Sequence, residues 1–111
     1  MECLTMEHKP NELLEVQIKH NNDILVNEFL ESNHTKGDFS LSEPIKNISA
    51  KITLPDGNFT STGLRKDGNN FSCNLKVGNN DYSKEVFVIV TPMHDAYQYR
   101  ITVMNHFKKV A

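Results

Sequence analysis

The side chains of this 111-residue chain that are suited to chemistry fall in short local groups. Methionine and histidine sit together in Met6-Glu7-His8, Met93-His94 and Met104-Asn105-His106. A thioether beside an imidazole is a donor set that suits copper, so Met93, His94, Met104 and His106 are candidate ligands of a copper-carrying module. The segment between the last two pairs reads as a strand. At ~3.3 Å per residue its length sets the pairs roughly 30 Å apart, so one ion cannot take both. Met6 and His8 can approach one pair only. Surface and turn histidines account for the same pattern more simply, and the expectation is no metal centre and no cofactor.

Cys3 and Cys73 are the two cysteines. Cys73 falls on the apolar face of its segment, which favours a buried, inert thiol over a disulfide. Cys3 lies in a polar lead-in. If Met1 and Glu2 precede the mature chain, Cys3 becomes the lipid-anchored first residue of a bacterial envelope lipoprotein, tethered through residues 4–12. Membrane contact is expected only through that lipid. Asp56, Asp67 and Asp81 occupy turns, where an Asx side chain caps its own backbone, and they are too scattered to hold calcium. His94 and Asp95 are neighbours in a loop, which is no evidence for a dyad. There is no nucleophile elbow, zinc-protease helix, phosphate-binding glycine loop or zinc-type Cys/His spacing, so the chain is expected to be no enzyme. Four Asn-x-Ser/Thr sequons, at Asn33, Asn47, Asn58 and Asn70, read as polar turn and outer-face residues among 13 asparagines.

Bulk composition narrows the partners. A net charge of -2 leaves no broad basic field for nucleic acid. The longest purely apolar run, Val86–Val90, is far too short to span a bilayer as a helix. Residues 1–8 lack the basic start and apolar core of a signal peptide. The chain therefore reads as cytosolic as it stands, and as periplasmic or cell-surface if a leader has been removed. Its length suits one domain, here residues 13–111, with residues 1–12 as a flexible or edge segment.

The elements that must position these groups are short strands. Leu14–Lys19 alternates apolar and polar residues, and His20–Asp23 is a turn. The apolar positions of Ile24–Leu30 fit either a strand or two turns of helix, and the turn before it and its β-branched content favour strand. Glu31–Asp38 reads as a polar loop, and Phe39–Leu41 as a piece that Pro44 confines to an edge or a sheet crossover. Asn47–Leu54 alternates cleanly, Phe59–Arg65 is a polar strand, and Phe71–Val77 alternates again. Pro55-Asp56-Gly57-Asn58 and Lys66-Asp67-Gly68-Asn69-Asn70 mark the intervening hairpins, because glycine accepts the positive φ of a tight turn. Val86–Val90 is apolar on both faces, as in a central or doubly covered strand. Tyr97–Val103 alternates once more.

The stretches Ala50–Gly57, Phe71–Leu75 and Tyr97–Val103 together resemble immunoglobulin-like modules of bacterial type, and the last is similar to a late strand of fibronectin type III domains. The buried Trp and paired Cys of antibody domains are absent. Seven or eight short strands with turns roughly every ten residues favour an all-β fold, an antiparallel two-sheet sandwich, with a closed small barrel as the alternative; the resemblance supports that fold and implies no particular functional residue. The expected role is non-catalytic: a protein-binding or structural component of a larger assembly, acting through sheet edges such as the Pro44 segment or Phe59–Arg65, or through loop ends. The lipoprotein docked to a secretion or transport machine and the copper carrier are the second and third expectations.

Overall fold

A computed structural model describes residues 13–78 and 82–107. These described residues form nine strands: β1 (Leu14–His20), β2 (Asp23–Leu30), β3 (His34–Phe39), β4 (Ile48–Thr53), β5 (Phe59–Gly63), β6 (Arg65–Asp67), β7 (Asn70–Gly78), β8 (Tyr82–Pro92) and β9 (Tyr97–Phe107). They form a four-stranded sheet ordered β2-β1-β4-β5 and a five-stranded sheet ordered β3-β9-β8-β7-β6, antiparallel at every pairing. The architecture is the all-β, two-sheet sandwich expected from the alternation.

The count of nine, against the expected seven to eight, has two causes. Glu31–Asp38 is not a loop: His34 to Phe39 pairs with β9 as an edge strand. Its alternation is hidden because the outward positions are His34, Lys36 and Asp38, while one inward position is Gly37. Phe59–Arg65, read as a single strand, belongs to both sheets. It leaves the first at Gly63 and enters the second at Arg65, as strands do at the corners of packed sheets. The Pro44 segment is the crossover from β3 to β4, in keeping with its proline.

Tight turns fix the registers. Asn21 and Asn22 both have positive φ, the signature of a type I′ turn between β1 and β2. Between β4 and β5 the Gly57 N–H donates to the Leu54 carbonyl at 2.9 Å, and the Leu54 N–H donates to the Asn58 carbonyl at 2.8 Å. Gly57 takes a φ of 96° there. Asp56 accepts the Asn58 N–H at 2.9 Å and its side-chain amide at 3.1 Å, so this aspartate serves backbone geometry.

The inward positions make one core. Leu14, Val16 and Ile18 of β1, with Ile48, Ala50 and Ile52 of β4, face Val86, Val88 and Val90 of β8 and Tyr99, Ile101 and Val103 of β9. Two polar side chains enter the interior with partners, as burial requires. His20 Nε2 accepts the Lys46 N–H at 3.1 Å. Lys84 Nζ donates to the Glu31 carbonyl at 2.9 Å and to Asn105 Oδ1 at 2.6 Å.

Tyr99 ties the sheets together. Its ring lies against Gly37 of β3 and stacks with Phe39, while its hydroxyl donates to the Glu28 carboxylate of β2 in the other sheet. Burial, then the Glu28 bond and the charges of Glu28 and Asp38, push the phenol up from 10.0 to about 12. The folded state therefore holds this proton more tightly than the unfolded chain does. The contribution of this group to stability is fully present below pH 10 and is lost as pH rises from there through about 12. Urea midpoints measured across that window should fall in the parent and fall less steeply in Tyr99→Phe.

Candidate functional site

The residues singled out for metal chemistry do not share a location. Met93 and His94 lie in the β8–β9 loop, where Met93 closes the turn by donating its N–H to the Ala96 carbonyl at 2.8 Å. Met104 and His106 lie near the other end of β9, opposite Glu85 and Ser83 of β8. His94 and Asp95 are 3.7 Å apart and almost fully exposed, which makes them a surface pair with little energetic weight. Among the described residues, no three His, Cys, Asp or Glu side chains come together around a point that could hold a metal ion. Cys3, Met6, His8 and Asp81 lie outside the described residues. Cys73 carries a free thiol on the inward face of β7, half-buried, and burial pushes it up to about 11. A thiol protonated throughout the neutral range is a poor nucleophile.

What the fold does bring together is a corner at β5, Leu64 and β6. In an antiparallel ladder, alternate residues turn both backbone groups towards the partner strand. The Leu64 N–H donates to the Ile48 carbonyl at 2.9 Å, and Leu54 pairs with Asn58. Thr60 and Thr62 must therefore face β4. Phe59, Ser61 and Gly63 then turn their N–H and C=O groups outward, at an edge of the sheet that has no partner strand among the described residues.

Sheet edges are ordinarily defended by charge, proline or shortness. β3 carries Lys36 and Asp38, and β6 has three residues, all charged. β2 carries Asp23 and Glu28 and has a register shift opposite Ile18/Lys19. β5, Phe-Thr-Ser-Thr-Gly, has neither charge nor proline, and its Phe59 is 61 % exposed with Lys51 Nζ 4.3 Å from the ring centre. The β7 edge next to it is also open. Among the described residues, β6 pairs only with Asn70–Ser72 and β7 from Cys73 to Gly78 has no partner on that side.

Two grooves flank the corner. The larger, about 660 Å³, runs from Thr62 and Gly63 over the outer face of the second sheet, past Ser72 and Asn74 to Phe87 and Ile89. Its charged lining residues are Arg65 and Arg100, the two arginines of the chain. Strand pairing sets Arg65, Ser72, Ile89, Arg100 and Lys36 in one row across the sheet. Neither arginine has an ion-pair partner among the described residues. The smaller groove, about 560 Å³, lies on the other side of Leu64 and takes its charge from Lys46 and Lys66. No carboxylate lines either groove.

Part of this site was visible in the sequence. The polar segment Phe59–Arg65 was recognisable as an edge, and the double-faced apolar run Val86–Val90 supplies the groove floor through Phe87 and Ile89. The arginine row was not. Arg65 and Arg100 are thirty-five positions apart and meet only through the β6-β7-β8-β9 register. Comparisons with protein-family models, with curated proteins and with solved structures each return no match.

Proposed function

We propose that the chain is a non-catalytic binding module that contacts a protein partner by strand addition along β5. The observation that carries this reading is the undefended edge: the backbone groups of Phe59, Ser61 and Gly63 face outward on a strand with no charge or proline. A strand added there completes these hydrogen bonds, and the exposed Phe59 ring offers an apolar anchor beside them. The immunoglobulin-like element of the reading rests on two-sheet packing alone. β9, the last strand, lies inside its sheet between β3 and β8, whereas the ABED and CFG arrangement leaves its last strand at an edge.

Ser61→Pro tests the reading. Proline removes the outward N–H at position 61 and spares the bonds that Thr60 and Thr62 make with β4, a placement proline tolerates in an edge strand. In affinity capture from the native cell, a partner retained by the parent and by Ser61→Ala should be lost with Ser61→Pro. Retention of the same proteins by all three would remove strand addition at β5 from consideration.

A further inference from the structure

Strand addition at β5 has a chemical corollary. A partner strand paired with Ser61 and Gly63 points every second side chain to the side occupied by Thr60 and Thr62. Thr62 on that side, opposite Ala50 of β4, is one of the residues that line the larger groove. At its mouth stands Arg65. Arg100 lies three strands further across, about 14 Å at the ~4.8 Å strand spacing, with Ser72 and Ile89 between. Lys66 and Lys46 line the groove on the opposite side of Leu64. Arg65, Lys66 and Lys46 therefore stand at one corner, and Arg100 across the larger groove, of a protein whose net charge is -2, and the two grooves they line hold no carboxylate.

Like charges gathered without counter-ions repel one another, and an anionic ligand relieves that repulsion. Arginine adds a planar fork that grips a carboxylate through two parallel bonds. The nearest acids on this face, Asp38 and Asp67, sit one row away at the two outer strands, opposite Gln98 and Asn70. They frame the cationic row without pairing to it.

We infer that the segment bound at β5 is an acidic peptide strand, its carboxylates alternating so that they face Arg65 and the cationic corner while its backbone pairs with Ser61 and Gly63. The inference rests on the strand-addition reading and adds the partner's charge. A peptide is favoured over single-stranded nucleic acid because the groove floor offers a single aromatic ring, Phe87, and the chain lacks the extended basic field that a phosphate backbone requires.

The test is an amide-resolved NMR titration of the intact chain with three defined probes: a peptide alternating glutamate and threonine, its lysine–threonine counterpart, and a short oligodeoxythymidylate. The glutamate peptide should shift the amides of Ser61, Gly63, Arg65 and Ser72 and weaken with added salt. Arg65→Gln and Arg100→Gln should each reduce its affinity, by about fivefold, as expected for one exposed ion pair. Arg65→Glu should turn the preference towards the lysine peptide, a gain that misfolding cannot imitate. Equal binding of both peptides at β5 would overturn the acidic inference and leave strand addition standing. Preferential binding of the oligonucleotide, or no shift with the glutamate peptide, would overturn it too, strand addition then being judged by the Ser61→Pro capture.

Discussion

Alanine at Gly37 should lower stability by about 2 kcal/mol, among the larger costs of overpacking a filled site by one methyl. A Cβ there would stand 2.6 Å from Tyr99 Oη and 2.8 Å from two ring carbons. The ring has nowhere to retreat. It is buried, stacked at 6.5 Å on Phe39, and held by its hydroxyl to Glu28 across the sandwich. Moving it breaks the one tyrosine bond that joins β9 to the opposite sheet. For a domain of this size the expected fall in Tm is about 8–16 °C. A double-mutant cycle checks the cause: in a Tyr99→Ala background the added methyl meets open space, and Gly37→Ala should cost close to nothing. An equal cost in both backgrounds would place the penalty in the β3 backbone and not in the ring contact.

Ile101→Ala should cost more, about 3–4 kcal/mol. Ile101 is fully buried at the centre of β9, between β3 and β8, and sits among the valines of β8 and the inward residues of the other sheet. Strands bonded on both sides cannot collapse into the space left by the lost atoms, so a cavity penalty adds to the transfer term. The same substitution at Ile24, 55 % exposed on β2, should cost about 0.5 kcal/mol or less. Chemical denaturation of the two variants beside the parent checks the contrast. Comparable losses would mean that the two-sheet core is not centred on β9.

The parts of the fold legible in the sequence are those where side-chain period and turn chemistry agree. Leu14–Lys19, Asn47–Leu54 and Tyr97–Val103 alternate, and Asn21-Asn22, Asp56-Gly57 and Asp67-Gly68 supply the turns that set their registers. β3 escaped because its inward side relies on Gly37, a residue with no side chain to mark a buried face; the volume it lacks is supplied by Tyr99, sixty-two positions away. The change of sheet at Leu64 escaped because a polar strand reads alike on either sheet. The cationic corner belongs to the same class of fact. Arginine at 65 and at 100 carries no local signal, and only the β6-to-β9 meander places them in one row. The Met-His pairs show the converse. Conspicuous in sequence, Met93-His94 and Met104-Asn105-His106 lie towards opposite ends of β9.

The strand that changes sheets at Leu64 also has a mechanical consequence. Along this side of the sandwich the two layers are joined through the single residue Leu64, the chain being bonded to β4 before it and to β7 after it. A load applied to β5 therefore passes through covalent bonds into the second layer, instead of across the soft contact between side chains. Sliding one layer over the other would first have to break the Leu64–Ile48 hydrogen bond. A partner pulling along β5 thus pulls on both sheets at once.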